Sequence, residues 1–114
     1  MELSIETTGN LMVVTIVSER IDAASAIRFK DQIRDATKGW TGRVLLEMSA
    51  VDFIDSSGLG AIVSSMKAMD GDHRLELCGL APKVVKVFRL TRMDTVFTIH
   101  DTIATAQAHG STAA

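Results

Sequence analysis

The chain has 114 residues, of which 46% are hydrophobic and 23% are charged, and its formal net charge is −2. This length and composition are typical of one globular domain with a real core. The slightly negative charge leaves no basic footprint, which argues against nucleic acid or an anionic membrane surface as a partner. The single cysteine, Cys78, allows no disulfide within the chain, which indicates a reducing, cytoplasmic setting. No apolar run approaches the ~20 residues that span a bilayer, so we expect no membrane insertion.

The first predicted elements are a β-hairpin and a helix. Leu3 and Ile5 alternate with polar residues, and Gly9-Asn10 is a tight-turn signal. The run over residues 11–17 is rich in β-branched side chains, which favours a second strand. We expect Asp22 to cap a helix, because the apolar positions after it step by three and four. Those positions are Ala26, Phe29, Ile33 and Ala36.

An apolar strand and a second helix follow. Residues 43–48 are mostly apolar, as expected for a strand in the middle of a sheet. The next helix is predicted to begin at Ser56 or Ser57 and to end near Gly71, which is suited to a C-cap. Its predicted inner stripe consists of Leu59, Ile62, Val63, Met66 and Met69.

The last third of the chain repeats the alternation of strand and helix. Residues 74–80 have the period of a strand, and Pro82, the only proline, fits the first turn of a third helix. A short strand is predicted over residues 96–99. Asp101 is predicted to cap a fourth helix, and the tail over residues 110–114 is expected to fray.

The order of these elements predicts an α/β fold. The order is β-β-α-β-α-β-α-β-α, and strands separated by single helices imply parallel pairing with right-handed crossovers. The opening hairpin adds an antiparallel edge. We therefore expect a four- or five-stranded mixed sheet with about four helices, in a single domain over residues 1–109.

The segment over residues 51–60 carries most of the functional information. An apolar strand runs towards Asp55, where Ser56 and Ser57 appear with Gly58 before a helical pattern begins. A serine at a helix N-terminus is well placed to cap the helix, which is its structural interpretation. Such a position also favours negative charge and leaves a hydroxyl in solvent, so reversible phosphorylation is the functional alternative.

Other chemistries are weakly supported. The serines lack the Gly-x-Ser-x-Gly pattern of a nucleophile elbow. His73, His100 and His109 are scattered, and none has a local claim to be a general base. Gly58-Leu59-Gly60 lacks the features of a dinucleotide fingerprint or a P-loop. One cysteine and three dispersed histidines do not form a metal site, so the sequence predicts no catalytic residue, metal or cofactor.

Three segments of the sequence resemble those of a known family. The segment Asp55-Ser56-Ser57-Gly58-Leu59-Gly60, after an apolar strand and before a helix, resembles the signature of the STAS-domain anti-sigma factor antagonists. Residues 20–26 resemble the family's Leu/Ile-Asp-Ala segment, and residues 77–84 resemble its strand and turn before the third helix. Together these matches extend over about residues 3–108.

The resemblance implies a STAS fold and a partner-switching mechanism. The unphosphorylated protein binds an anti-sigma factor that is also a serine kinase of the histidine-kinase-like ATPase type, and so releases the sigma factor. That kinase phosphorylates the serine directly after the aspartate, which is Ser56 here. The modified form dissociates, and a metal-dependent serine phosphatase resets it. The partner-binding surface implied by the family comprises Asp22, Asp55, Ser57, Gly58 and Leu59. The resemblance also assigns Ser57 to the capping of the helix.

Two other functions stay open from the sequence. The chain could be a STAS interaction subunit of another partner-switching or membrane-transport complex. In the loop before the first helix, this chain has Ser18-Glu19-Arg20 where the family often has a glycine near its docking face, so partner specificity could differ. The second alternative is a small hydrolase that uses Ser56. If the chain is a hydrolase, the isolated protein should turn over ester substrates. If it has either STAS function, it should turn over no ester substrate.

Overall fold

The computed structural model of this protein describes the backbone over residues 1–69 and 75–112 and the side chains over residues 1–69 and 75–109. The strands are β1 Leu3–Thr8, β2 Leu11–Ile16, β3 Arg20–Ile21, β4 Arg43–Glu47, β5 Phe53–Ile54, β6 Leu75–Cys78 and β7 Thr98–His100. The helices are α1 Ala26–Thr37, α2 Ser56–Ala68, α3 Pro82–Leu90 and α4 Ile103–Thr112, with a 3₁₀ turn at Met93–Thr95.

Five strands form the main sheet in the order β1-β2-β4-β6-β7. The β1–β2 pair is an antiparallel hairpin in which Leu3 lies opposite Ile16, and Gly9 in its turn has a φ of +59°. All other pairs in this sheet are parallel. The predicted α/β class, with a mixed sheet of four or five strands and about four helices, is confirmed.

The main core lies between this sheet and helices α1, α2 and α3. Alternate residues of the central strands, such as Val14, Leu46 and Leu77, are completely buried there. Phe29 of α1 and Phe88 of α3 are the largest fully buried side chains in that core. We call this side of the sheet the front. On this side, α1, α2 and α3 all begin at the edge where the parallel strands end, so their N-termini lie side by side. We call this edge the front edge.

A second sheet, which the sequence pattern did not predict, is made of β3 and β5. These two short strands pair in parallel, with Arg20 opposite Phe53 and Ile21 opposite Ile54. Each has only two residues, too few to show a period. The pair has one buried side, with Ile21 and Ile54, and one exposed side, with Phe53. It joins the segment before α1 to the segment before α2.

Helix α4 covers the back of the main sheet, where a buried ionic network replaces part of the apolar core. Arg43 donates two hydrogen bonds of 2.7 Å to the carboxylate of Glu76, and His100 Nε2 lies 2.7 Å from Glu76 Oε1. Arg43 also donates to the carbonyl oxygen of Ala106 in α4 at 2.9 Å. The network therefore ties β4, β6, β7 and α4 together. The histidine was one of those the sequence left without a role.

Three expected features differ from the structure or lie outside it. Asp101 was predicted to cap α4, but Thr102 does so, since its hydroxyl accepts from the Thr105 amide at 3.1 Å. Gly71 was predicted to end α2, but the helix ends at Ala68 with Met69 as its C-cap, because the Met69 amide bonds to the Met66 carbonyl at 3.2 Å. Gly71 itself, His73 and the first residue of the strand predicted at 74 lie outside the described residues. The predicted tail overlaps the end of α4, and its last two residues are also outside the described part.

The Arg43–Glu76 pair leads to a prediction for stability. Glu76→Gln should lower the free energy of unfolding by about 3 kcal/mol, because it leaves the guanidinium of Arg43 buried without its charge partner. Asp31→Asn is a matched control, since it breaks an exposed ion pair with Arg34 and should cost less than about 0.5 kcal/mol. Urea denaturation of both variants at neutral pH measures the difference.

The pH dependence follows from the same contacts. Burial alone would raise the pKa of Glu76, but hydrogen bonds from Arg43 and His100 and their charges outweigh it and lower the pKa below the usual glutamate value. The stabilisation is therefore present above the pH at which an unfolded glutamate titrates, and it is lost as the pH falls through the folded-state pKa. The gap between wild type and Glu76→Gln should close over that acidic range. Equal stability of the two proteins at neutral pH would contradict this account.

Candidate functional site

The candidate site is the start of α2, at the front edge of the sheet. Ser56 and Ser57 are the first two residues of the helix, directly after β5, and both are exposed. Within the side chains that the structure describes, neither hydroxyl takes part in a side-chain hydrogen bond. Both hydroxyls are thus available to solvent and have no visible role in holding the fold.

Asp55 caps α2, and this corrects the expectation that Ser57 does so. Asp55 has extended backbone angles, and its Oδ1 accepts a hydrogen bond from the Gly58 amide at 2.8 Å. Its other oxygen, Oδ2, accepts from the Ala23 amide at 3.1 Å. Both carboxylate oxygens are therefore used within the chain. An aspartate is as good an N-cap as a serine, and here its second oxygen also fastens the neighbouring loop.

Gly58 allows α2 to lie against β3. A Cβ atom at this position would overlap the backbone carbonyl of Ile21. The same carbonyl accepts a hydrogen bond from the Asp55 amide at 3.3 Å. The glycine in the motif therefore has a packing reason, because only a residue without a side chain lets the helix start so close to another backbone.

Asp22 caps a turn just before α1, and not α1 itself as predicted. Its Oδ1 accepts from the Ser25 amide at 3.3 Å, while the Ser25 hydroxyl accepts from the Asp22 amide at 3.1 Å. The helix then begins at Ala26, whose amide bonds to the Asp22 carbonyl at 2.8 Å. A hydrogen bond from Arg20 and smaller ones from Ser25 lower the pKa of Asp22, so the carboxylate is ionised at neutral pH.

The exposed side of the small sheet adds two residues that sequence reasoning did not assign to the site. The guanidinium carbon of Arg20 lies 4.1 Å from the centre of the Phe53 ring, and its Nε lies 3.2 Å from Asp22 Oδ2. Phe53 is 40% exposed although it is aromatic. Only the pairing of β3 with β5 brings these two residues together, so no local sequence signal could have revealed the contact.

The predicted partner-binding residues divide into two groups. Ser57 is exposed next to Ser56, Asp22 and Asp55 are half-buried, and the hydrogen bond from Ala23 to Asp55 shows that the two segments are in contact. Gly58 and Leu59 are buried, so they shape the site from beneath. Neither of the latter offers a side chain to a partner.

The two histidines that the structure describes lie on the other side of the sheet from Ser56. His100 belongs to the buried network with Glu76, and His109 of α4 lies against it with ring centres 5.5 Å apart. The third histidine is outside the described residues. Among the residues that the structure describes, no group of three or more histidine, cysteine, aspartate or glutamate side chains could hold a metal ion. Among the described residues, neither histidine lies beside the exposed hydroxyl of Ser56, and both oxygens of the adjacent Asp55 carboxylate already accept hydrogen bonds from backbone amides.

Residues 2–106 match the family model for the STAS domain. This chain belongs to the STAS family. A Thermotoga maritima protein that carries the name anti-sigma factor antagonist is 31% identical over 98 residues, which are 83% of this chain and 86% of that protein. The anti-sigma-B factor antagonist of Staphylococcus aureus is 22% identical over 103 residues, 89% of this chain and 95% of that protein.

Solved structures share the STAS fold. The crystal structure of an anti-sigma factor antagonist from T. maritima superposes with a TM-score of 0.79 at 28% identity, covering 94% of this chain and 92% of that one. The Bacillus cell fate determinant SpoIIAA in its phosphorylated form gives 0.65 at 20% identity, covering 95% and 98%. The murine anion transporter Slc26a9 gives 0.81 at 16% identity and covers 94% of this chain, but only 18% of the transporter. None of the helices in the described part of this STAS domain combines the length and apolar character needed to cross a membrane.

The contact at Gly58 predicts opposite effects for two glycines of α2. Gly58→Ala should lower the free energy of unfolding by about 1–3 kcal/mol, because the methyl group must push β3 away. Gly60→Ala is the control, since a Cβ there meets nothing within 4 Å. This variant should gain about 0.5–1 kcal/mol from helix propensity. Thermal or urea unfolding compares the two, and a stabilised Gly58→Ala variant would contradict the close approach.

Proposed function

We propose that this STAS domain, over residues 1–109, is an anti-sigma factor antagonist that phosphorylation of Ser56 switches off. In its unphosphorylated form it binds an anti-sigma factor serine kinase and releases the sigma factor. The names of the T. maritima and S. aureus relatives support the general function. The observation that carries the finer proposal is the exposed, unbonded hydroxyl of Ser56 at the first position of a helix whose cap is supplied by Asp55.

The start of α2 can accept a phosphate without loss of the fold. A phosphoserine adds about 1.5–2 negative charges at pH 7. The first turn of α2 contains no acidic residue, and the N-terminal end of a helix favours negative charge. Since the Ser56 hydroxyl holds nothing in place, its modification breaks no hydrogen bond among the described residues. The structural cost to the protein itself is therefore small.

The same phosphate should be costly for a partner that packs on this surface. Asp55 lies next to Ser56 and keeps its carboxylate at the edge of the site through bonds to Gly58 and Ala23. Docking removes water from both groups, so the added charge would meet a nearby carboxylate in a drier environment. Modification would thus weaken the complex while the free protein keeps its fold, which is what partner switching requires.

The catalytic parts of the switch are assigned to the partners. The anti-sigma factor would be a serine kinase of the histidine-kinase-like ATPase type that uses ATP and magnesium, and a metal-dependent serine phosphatase would restore the free hydroxyl. The antagonist then acts as substrate and binder in the cytoplasm, with no cofactor of its own. This role agrees with the surroundings of Ser56 in the described part of the chain, where the adjacent carboxylate, Asp55, is engaged by two backbone amides and both histidines lie on the other side of the sheet.

The docking surface is proposed to combine the predicted residues with those added by the structure. Asp22, Asp55 and Ser57 surround Ser56, while the exposed ring of Phe53 under Arg20 extends the surface along the small sheet. Aromatic and arginine side chains are the ones that most often carry binding energy at interfaces. Gly58 and Leu59 contribute by setting the position of α2.

A second candidate function is a STAS interaction subunit of another partner-switching or membrane-transport complex. The likeness to Slc26a9 favours keeping it, because nearly the whole of this chain matches a small part of that transporter. At 16% identity this likeness shows the fold alone. The two functions differ in the proteins bound: a kinase and its sigma factor in one case, and a different assembly in the other.

The deciding experiment is incubation with the candidate kinase, ATP and magnesium, followed by mass spectrometry of the intact chain and its peptides. We expect a single added phosphate, located on Ser56. Ser56→Ala should remove it, whereas Ser57→Ala, which changes the neighbouring exposed hydroxyl, should retain it. Phosphate on Ser57 alone, or no phosphate with any serine kinase of the source cell, would contradict the mechanism. Hydrolysis of ester substrates by the isolated chain that is lost in Ser56→Ala would instead support the hydrolase.

A further inference from the structure

The outward face of α3 carries three exposed cations and an exposed leucine. Lys83, Lys86 and Arg89 are spaced by three residues and are all exposed, and the side chain of Leu90 beside them is 76% exposed. This spacing keeps all four on the side opposite the buried residues of the same helix, Val84 and Phe88. We call these four residues the α3 face.

The charge of this segment contrasts with that of the rest of the protein. Residues 80–93 contain four lysine and arginine residues and no aspartate or glutamate, which gives this segment a formal charge of +4. The whole chain has a net charge of −2, so the remaining residues together carry −6. This segment is therefore positive while the rest of the chain is negative, which the total charge does not reveal.

Few of these cations are neutralised within the chain. Lys83 lies 3.8 Å from Asp52, and both side chains are largely exposed, so this pair is weak. Over residues 1–69 and 75–109, no carboxylate lies within ion-pair distance of Lys86 or Arg89. An exposed leucine between uncompensated cations has no evident role in the free protein, since it neither packs in the core nor interacts with charge.

The α3 face is continuous with the candidate site. Asp52, which pairs with Lys83, is followed directly by β5, and β5 leads through Asp55 to Ser56. The helix then runs about 10 Å from Lys83 to Leu90 at its usual rise per residue. A partner that covers Ser56 and Phe53 would therefore meet the α3 face with an adjoining part of its surface.

We propose that the α3 face is a second docking element for the same kinase partner, and that it binds an acidic surface with an apolar recess for Leu90. The inference rests on the proposed function. The carboxylates of Asp22 and Asp55 lie at one end of the combined surface and the cations of α3 at the other, so a partner of complementary pattern can dock in only one orientation. Such charge patterns set association rate and orientation more than they set affinity.

The test uses the kinase that phosphorylates Ser56 and the full chain carrying Lys86→Glu and Arg89→Glu. At low ionic strength, about 0.01 M, the association rate constant should fall about 10-fold relative to wild type. The difference should shrink at about 0.15 M, where exposed charges are screened beyond about 8 Å. Stopped-flow or surface-based kinetics measure both rates, and circular dichroism verifies that the exposed substitutions leave the fold intact.

A matched control separates the position of the charges from their sum. Lys38→Glu with Lys67→Glu changes the formal charge by the same amount at two exposed lysines near the C-terminal ends of α1 and α2. This variant should associate at close to the wild-type rate. An equal slowing of both double variants would mean that only the net charge of the protein matters. An unchanged association rate for the α3 variant would mean that the α3 face faces solvent and does not contact the kinase. Either result overturns the proposal.

Two further arms complete the test. Leu90→Ser should raise the dissociation rate at both ionic strengths, because the loss of an apolar contact is not screened by salt. Unchanged dissociation would refute the recess for Leu90. Co-sedimentation with mixed phosphatidylcholine and phosphatidylglycerol vesicles should show no binding, and vesicle binding that the α3 substitutions abolish would assign the face to a membrane and overturn the proposal.

Failure of this inference can be distinguished from failure of the proposed function. If wild type binds the kinase and is phosphorylated on Ser56, but the α3 substitutions change no rate, only the second docking element is refuted. If wild type neither binds a kinase nor is phosphorylated, the proposed function fails and the inference fails with it.

Discussion

The carboxylate of Asp55 is the contact on which the candidate site depends. One oxygen caps α2 through the Gly58 amide at 2.8 Å, and the other holds the Ala23 amide at 3.1 Å. The starts of α1 and α2 are thereby fixed to one another through a single side chain. Because this carboxylate caps α2, the hydroxyl of Ser56 makes no hydrogen bond among the described residues. We therefore expect its modification to leave the fold intact.

The two sides of the sheet differ in which groups they bury and which they expose. At the back, Arg43, Glu76 and His100 form a hydrogen-bonded network, and Arg43 also holds α4 through the carbonyl oxygen of Ala106. Those groups are hydrogen-bonded to one another on the opposite side of the sheet from Ser56, so they do not contact its hydroxyl. At the front, three helix N-termini and the β3–β5 pair form an edge with an exposed serine and an exposed aromatic ring. This edge is where we propose that another protein phosphorylates the STAS domain.

The sequence predicted the features that depend on local pattern. Alternation and helical spacing identified the hairpin, the four helices and the parallel sheet, and Pro82 marked the start of α3 correctly. Caps were less predictable, since several adjacent residues could serve: Asp55 replaced Ser57, and Thr102 replaced Asp101. Contacts between distant segments could not be predicted at all. The stacking of Arg20 on Phe53 and the pairing of Arg43 with Glu76 both require the tertiary fold to bring the partners together.

The central claim is that charge at Ser56 is tolerated by the fold but not by the interface. The most direct measurement is a calorimetric titration of the kinase with Ser56→Asp and with Ser56→Asn, a nearly isosteric uncharged control, together with thermal unfolding of both. The account predicts closely similar unfolding temperatures, and binding of the aspartate variant that is weaker by about 1–3 kcal/mol. Equal affinity of the two variants, or loss of the fold in the aspartate variant, would contradict it.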